Sequence, residues 1–152
     1  MLSDIQLQLL QWAGKGYCCS QIMVGVALEF SGIENPQLLR AAEGLCSGMS
    51  NCSGTCGLLT GGSLLLGLYA GHDAETEEKD EKLPVLLESF TDWFTQKTAE
   101  EHGGISCGQI LGESCDAPVP DASKCGNLLA ESFTYIETLL TEYGYDITAI
   151  KE

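Results

Sequence analysis

Leu58-Leu59-Thr60-Gly61-Gly62-Ser63-Leu64-Leu65-Leu66-Gly67-Leu68-Tyr69-Ala70 decides the fold. It is the longest apolar stretch of the chain, broken by Thr60, Gly61, Gly62 and Ser63. A bilayer span takes about 20 residues, so the stretch is too short to cross a membrane. A helix apolar nearly all round belongs inside a fold, and the segment reads as a buried central helix. Gly61-Gly62-Ser63 sits within that helix, where small residues permit close helix packing rather than a nucleotide cradle.

The pattern on either side is helical too, with no strand-type alternation. Ser3 is placed to cap a first helix that turns Ile5, Leu9, Leu10 and Trp12 inward and closes at Gly14 and Gly16. A second helix begins near Cys19 with the stripe Ile22, Met23, Val26 and Phe30, at the spacing of one helix face. Asn35-Pro36, a cap and a first-turn proline, opens a third through Leu38, Leu39 and Ala42. A glycine- and serine-rich turn over residues 44–54 precedes the central helix. Leu86, Leu87, Phe90, Trp93 and Phe94 form a further amphipathic helix. Residues 102–122 read mostly as loop, with a short helix after Ser106. A last helix from near Asp121 to about Tyr143 buries Leu128, Leu129, Phe133, Ile136 and Leu140. The expectation is an all-α, single-domain bundle of about five to six helices spanning residues 1–152, with an acidic linker over about 73–82.

Twenty-two acidic residues against seven Lys and Arg leave a formal charge of −15. Such a surface repels nucleic acid and anionic lipid. The acidic run over 73–82 reads as a solvated linker or exposed helix start, with docking to a basic redox partner protein as the functional alternative. Met1-Leu2-Ser3-Asp4-Ile5 lacks the basic start and apolar stretch of a secretory signal, so a cytoplasmic location and no membrane insertion are expected. In that compartment thiols stay reduced. At 152 residues the chain buries enough surface to fold without disulfides.

Its eight cysteines therefore call for another explanation. Four of them, Cys19, Cys56, Cys107 and Cys125, fall where a helix is about to begin. A helix N-terminus favours negative charge, and both a thiolate and a thiolate-bound cluster are negative. Cys19 precedes Ile22 and Met23 at helical spacing, and Cys125 precedes Leu128 and Leu129 likewise, so both should point inward. Taken singly, each cysteine is equally readable as a small buried hydrophobe. No C-x2-C occurs, which removes thioredoxin-type and zinc-ribbon motifs, and no haem-attachment sequence is present. Cys46, Cys52 and Cys56 form an irregular cluster that is weak as a metal motif. Cys18-Cys19 suggests one residue facing a site and the other packing. Cys115 receives no role. His72 and His102 lie in linker regions, away from any thiol by sequence, and no catalytic residue is identified.

With those residues in view, the chain resembles the redox-active family named for its C, GCAxxG, C, C cysteine pattern. The resemblance rests on Gly16-Tyr17-Cys18-Cys19-Ser20-Gln21, Gly54-Thr55-Cys56-Gly57-Leu58-Leu59-Thr60-Gly61, Ser106-Cys107-Gly108-Gln109-Ile110-Leu111-Gly112 and Lys124-Cys125-Gly126. It runs from about Gly14 to Tyr143. It implies that the recurring cysteines are Cys19, Cys56, Cys107 and Cys125, with Leu58 read at the family's usual alanine. Cys18 then competes as a ligand or resolving thiol. The expected function is redox activity. In one reading the four cysteines ligate an iron–sulfur cluster, most simply 2Fe–2S, for electron transfer or redox sensing. In the second they form a metal-free thiol–disulfide system, with Cys19 or Cys56 attacking and Cys107 or Cys125 resolving. In the third they hold zinc or another soft metal. A homodimer is compatible with each.

Overall fold

The computed structural model describes every residue except 1–3, 50, 74, 76–77, 113–121 and 151–152, and leaves the side chains of 122–125 undescribed. Seven α-helices fill the described residues: α1 (Asp4–Gly14), α2 (Cys19–Phe30), α3 (Pro36–Glu43), α4 (Gly57–Ala70), α5 (Lys82–His102), α6 (Cys107–Leu111) and α7 (Ala122–Glu142). A short 3₁₀ turn, Cys46–Gly48, lies between α3 and α4. The only pairing of extended chain among them is a single antiparallel bridge, Thr55 with Ser106. The all-α expectation holds; each of the seven helices, the short α6 included, corresponds to a segment read as helical from the sequence, and the count of five to six falls short of them.

The helices start where local chemistry stops them fraying. Asn35 accepts a hydrogen bond from the Leu38 N–H at 3.1 Å, with Pro36 following as the first helical residue. Ser106 accepts from the Gln109 N–H at 3.1 Å while Gln109 Oε1 accepts from the Ser106 N–H at 3.2 Å, a reciprocal capping box. α5 ends at Gly103, whose φ of 85° is the left-handed position that glycine adopts without cost. The Ser3 cap expected for α1 lies outside the described residues.

α2 and α4 pack most extensively and form the centre of the bundle. α4 is buried nearly all round, as its composition requires. α2 goes further than its stripe suggested. Every residue from Ser20 to Leu28 is buried, because α1, α3, α4 and α7 all lie against it. Glycine sets the closeness of the central crossing. A Cβ added at Gly61 would stand 2.6 Å from Ser20 Cα, so the two backbones touch there. At Gly62, the face toward α5 and α7, an added Cβ would meet the Phe90 ring at 2.4 Å.

Phe90, Phe94, Phe133, Ile136 and Tyr69 complete the core. Two expectations shift. Leu10, assigned to the inner face of α1, is 58% exposed, since α1 buries Leu9 and leans Ile5 and Trp12 against the core instead. His102 belongs to the last turn of α5 beside Glu101 rather than to a linker. The acidic run does lie between α4 and α5, but Asp80 is tied in: it accepts from the Lys82 N–H and from the Tyr145 hydroxyl.

Candidate functional site

Cys19 is the first residue of α2, Cys56 immediately precedes α4, and Cys107 is the first residue of α6. Cys125 lies in the first turn of α7, and its side chain is outside the described set. Cys19, Cys56 and Cys107 are all in the thiol form, and all three line one cavity of about 640 Å³. Gly126, the neighbour of Cys125, lines it as well.

Two local arrangements bring these thiols together. The first is the bridge. Cys56 N–H donates to the Ile105 carbonyl at 2.8 Å and Cys107 N–H donates to the Gly54 carbonyl at 2.9 Å, flanking the Thr55–Ser106 pair. Side chains alternate across extended pairing, so Cys56 and Cys107, each one residue beyond the bridged pair, lie on the face opposite Thr55 and Ser106. The second is the α2–α4 crossing. A Cβ at Gly57 would stand 3.6 Å from Cys19 Cβ and 3.4 Å from the Ser20 nitrogen, which places the start of α4 directly against the start of α2.

The cavity wall is otherwise apolar. Leu9, Ile22, Ile110, Leu111 and Leu129 supply most of it, and Gln6, Tyr17 and Asn127 add uncharged polar groups. No Asp, Glu, Lys, Arg or His is among its described lining residues. What electrostatic support it has comes from backbone. The N-termini of α2 and α4 both face it, each favouring an anionic group by about 0.3–1 kcal/mol. At α4 the sulfur itself acts as cap, with Cys56 Sγ accepting from the Leu58 N–H at 3.4 Å.

A fourth sulfur at the cavity is spoken for. Cys18 caps α2 and is joined by a disulfide to Cys46, which opens the 3₁₀ turn, with their Cα atoms 6.0 Å apart. Of the neighbouring pair it is therefore Cys19 that brings a thiol to the cavity. Cys52 is disulfide-bonded as well. Cys115 lies outside the described residues. The Cys18–Cys46 disulfide departs from the expectation that the chain's thiols stay reduced. The Cys18–Cys46 pairing spans 28 residues, and no local signal announces it. Among the described residues, no three metal-ligating side chains gather on one point. His72 and His102 are not part of the cavity lining.

The family described as "Putative redox-active protein (C_GCAxxG_C_C)" matches residues 17–139 of the chain. No curated protein and no solved structure matches the chain. Aligned on Cys56, the pattern's GCAxxG falls on Thr55-Cys56-Gly57-Leu58-Leu59-Thr60. The alanine position is thus Gly57 and not Leu58, and only the cysteine of the hexad is retained. Space allows alanine there, since an added Cβ would make no contact closer than 3.4 Å. Thr60 replaces the second glycine, and its Oγ1 is buried with no hydrogen-bond partner among the described residues.

Proposed function

The chain belongs to the C_GCAxxG_C_C family of redox-active proteins, and on that premise we propose that Cys19, Cys56, Cys107 and Cys125 hold an iron–sulfur cluster, most simply 2Fe–2S, for electron transfer or redox sensing. The observation that carries this reading is convergence. Helix starts from three separate parts of the chain deliver thiols to one cavity whose described lining residues carry no charge. A 2Fe–2S cluster takes four cysteine thiolates, two on each iron, so it does not ask for three sulfurs on one point. Cys125 supplies the fourth from the turn that also brings Gly126 to the cavity. When bound, the cluster would accept and release an electron. The chain's own part is to hold the sulfurs, exclude water with Leu9, Ile22 and Leu129, and aim backbone N–H groups such as that of Leu58 at sulfur. With a net charge of −15, a basic redox protein is the partner this surface would favour, and the cytoplasm the compartment we assign.

The test is iron, acid-labile sulfide and zinc content together with a visible spectrum, on protein purified without oxygen. Near-stoichiometric iron and sulfide with broad visible absorbance, lost in Cys56→Ser, is expected. Colourless protein that also resists anaerobic reconstitution would sink the cluster reading, and stoichiometric zinc would move it to a soft-metal module. A metal-free thiol–disulfide function is the second reading, favoured by the Cys18–Cys46 disulfide at the border of the same cavity. A count of reactive thiols that changes by two on mild oxidation of iron-free protein would support it.

A further inference from the structure

Beyond the four proposed ligands, the Cys18–Cys46 disulfide has an environment that favours its reduced state. Ser20 is fully buried beneath it. Its Oγ lies 3.3 Å from Cys18 Sγ, 3.5 Å from Cys46 Sγ and 2.7 Å from the Ala42 carbonyl oxygen. A hydroxyl has one hydrogen and two lone pairs. The hydrogen goes to Ala42, the nearest and strongest acceptor, which leaves the lone pairs facing two disulfide sulfurs that carry no hydrogen. Reduction would place an S–H on each sulfur within reach of Ser20 Oγ. A buried acceptor without a donor carries a desolvation cost, and reduction removes it.

The chain on the Cys46 side favours the same direction. Ser47, Met49 and Cys52 have φ values of 53°, 64° and 64°, the left-handed region that residues with a Cβ enter at a cost. Cys46 ties this segment to the start of α2, and Ser47 stands at the cavity rim. Cutting the tie releases the Cys46 end while the Cys52 disulfide still holds the other, so that Ser47 and Met49 can relax away from the cavity that Cys19 lines.

We propose that Cys18–Cys46 is a reversible redox couple, that Ser20 stabilises its dithiol state, and that its reduction uncovers the cavity thiols. The step is a two-electron exchange. A dithiol reductant breaks the S–S bond and delivers two electrons and two protons, leaving thiols at Cys18 and Cys46 and departing as its own disulfide. Nothing in it requires a cluster.

The test equilibrates the whole protein in dithiothreitol buffers of set redox ratio, traps thiols by isotope-coded alkylation, and reads Cys18 and Cys46 by mass spectrometry. Reversible titration in the folded protein is expected, as is a Ser20→Ala couple about tenfold harder to reduce, a shift of about 30 mV. A pair that stays oxidised until the protein unfolds, or a Ser20→Ala titration identical to wild type, overturns the assignment. Ser20→Ala retains the Cβ packed against Gly61, so the fold is kept. Access is read separately, in metal-free protein, as the iodoacetamide rate at Cys19. Cys46→Ser should react several-fold faster than oxidised wild type, and equal rates would refute the gating. Because the titration is read on Cys18 and Cys46 alone, a negative iron assay leaves it standing.

Discussion

Gly61→Ala should loosen the central crossing, and the size of the effect follows from the backbone contact. The new Cβ would stand 2.6 Å from Ser20 Cα and 3.0 Å from Ser20 O, where ordinary contact begins at 3.4 Å. The shortfall of about 0.8 Å is against main-chain atoms, which cannot rotate away, so α2 and α4 must part. Overpacking of this kind costs about 1–3 kcal/mol. Alanine recovers about 0.8–1 kcal/mol of helix propensity over glycine. A net loss of up to about 2 kcal/mol remains, a fall in Tm of up to about 8 °C for a chain of this length. Two other glycines of α4 serve as internal standards. At Gly57 the nearest contacts are 3.4 Å, so alanine should change stability by less than about 0.5 kcal/mol. At Gly67 nothing among the described residues lies within 4 Å, and alanine should stabilise by up to about 1 kcal/mol. Urea unfolding of the three variants, compared at constant m, gives the ordering directly. If Gly61→Ala is as stable as Gly67→Ala, the close crossing does not exist. Since Cys19 and Cys56 are placed by the same crossing, Gly61→Ala should also alter the iodoacetamide reactivity of Cys19 in metal-free protein, whereas Gly67→Ala should not.

Three further outcomes are expected. Burial pushes the Tyr69 phenol up to about 12, and burial with the Asp80 contact does the same for Tyr145. Both phenols are neutral when protonated and hold their protons more tightly folded than unfolded. The stability they confer is therefore complete below about pH 10 and drains away as pH rises toward 12, visible as a falling urea midpoint that Tyr69→Phe flattens. Asn35→Ala removes the only side-chain cap on α3 and should cost about 1 kcal/mol in urea unfolding, while Asn35→Gly should cost a few tenths. Phe90→Ala empties a fully buried site between Gly62, Phe94 and the Trp93–Tyr135 stack and should cost about 3–5 kcal/mol by the same measurement. A loss under 1 kcal/mol would contradict the packing described.

Much of the fold was legible because its determinants are local. Asn35-Pro36 opens α3 through contacts within one turn, and Ser106 with Gln109 does so for α6. The inner face of α7 follows from the spacing of Leu128, Phe133, Ile136 and Leu140, all of them buried. Periodicity failed where neighbours rather than the helix decide exposure. Leu10 fits an apolar face of α1 yet stands 58% exposed, because it lines the open cavity rather than packing into the core. Ser20 and Gln21 look like a polar surface on α2 and are buried, because α3 covers them: Ser20 Oγ donates to Ala42 O and Gln21 Nε2 to Leu39 O.

The candidate site divides the same way. By itself the sequence determined that the chain is helical, that Cys19, Cys56, Cys107 and Cys125 stand at helix starts, and that the central helix is too short to cross a membrane. Each depends on residues within a turn or two of one another. Only the tertiary structure decided that Cys19, Cys56 and Cys107 share one cavity, that Cys18 joins Cys46, and that Ser20 lies between that disulfide and α4. Those are relations across 28 residues and more, set by how closely Gly57 and Gly61 let two helices approach and by a two-residue bridge between distant loops. No periodicity or capping signal carries such distances, because the free energy that fixes them is packing between segments rather than preference within one.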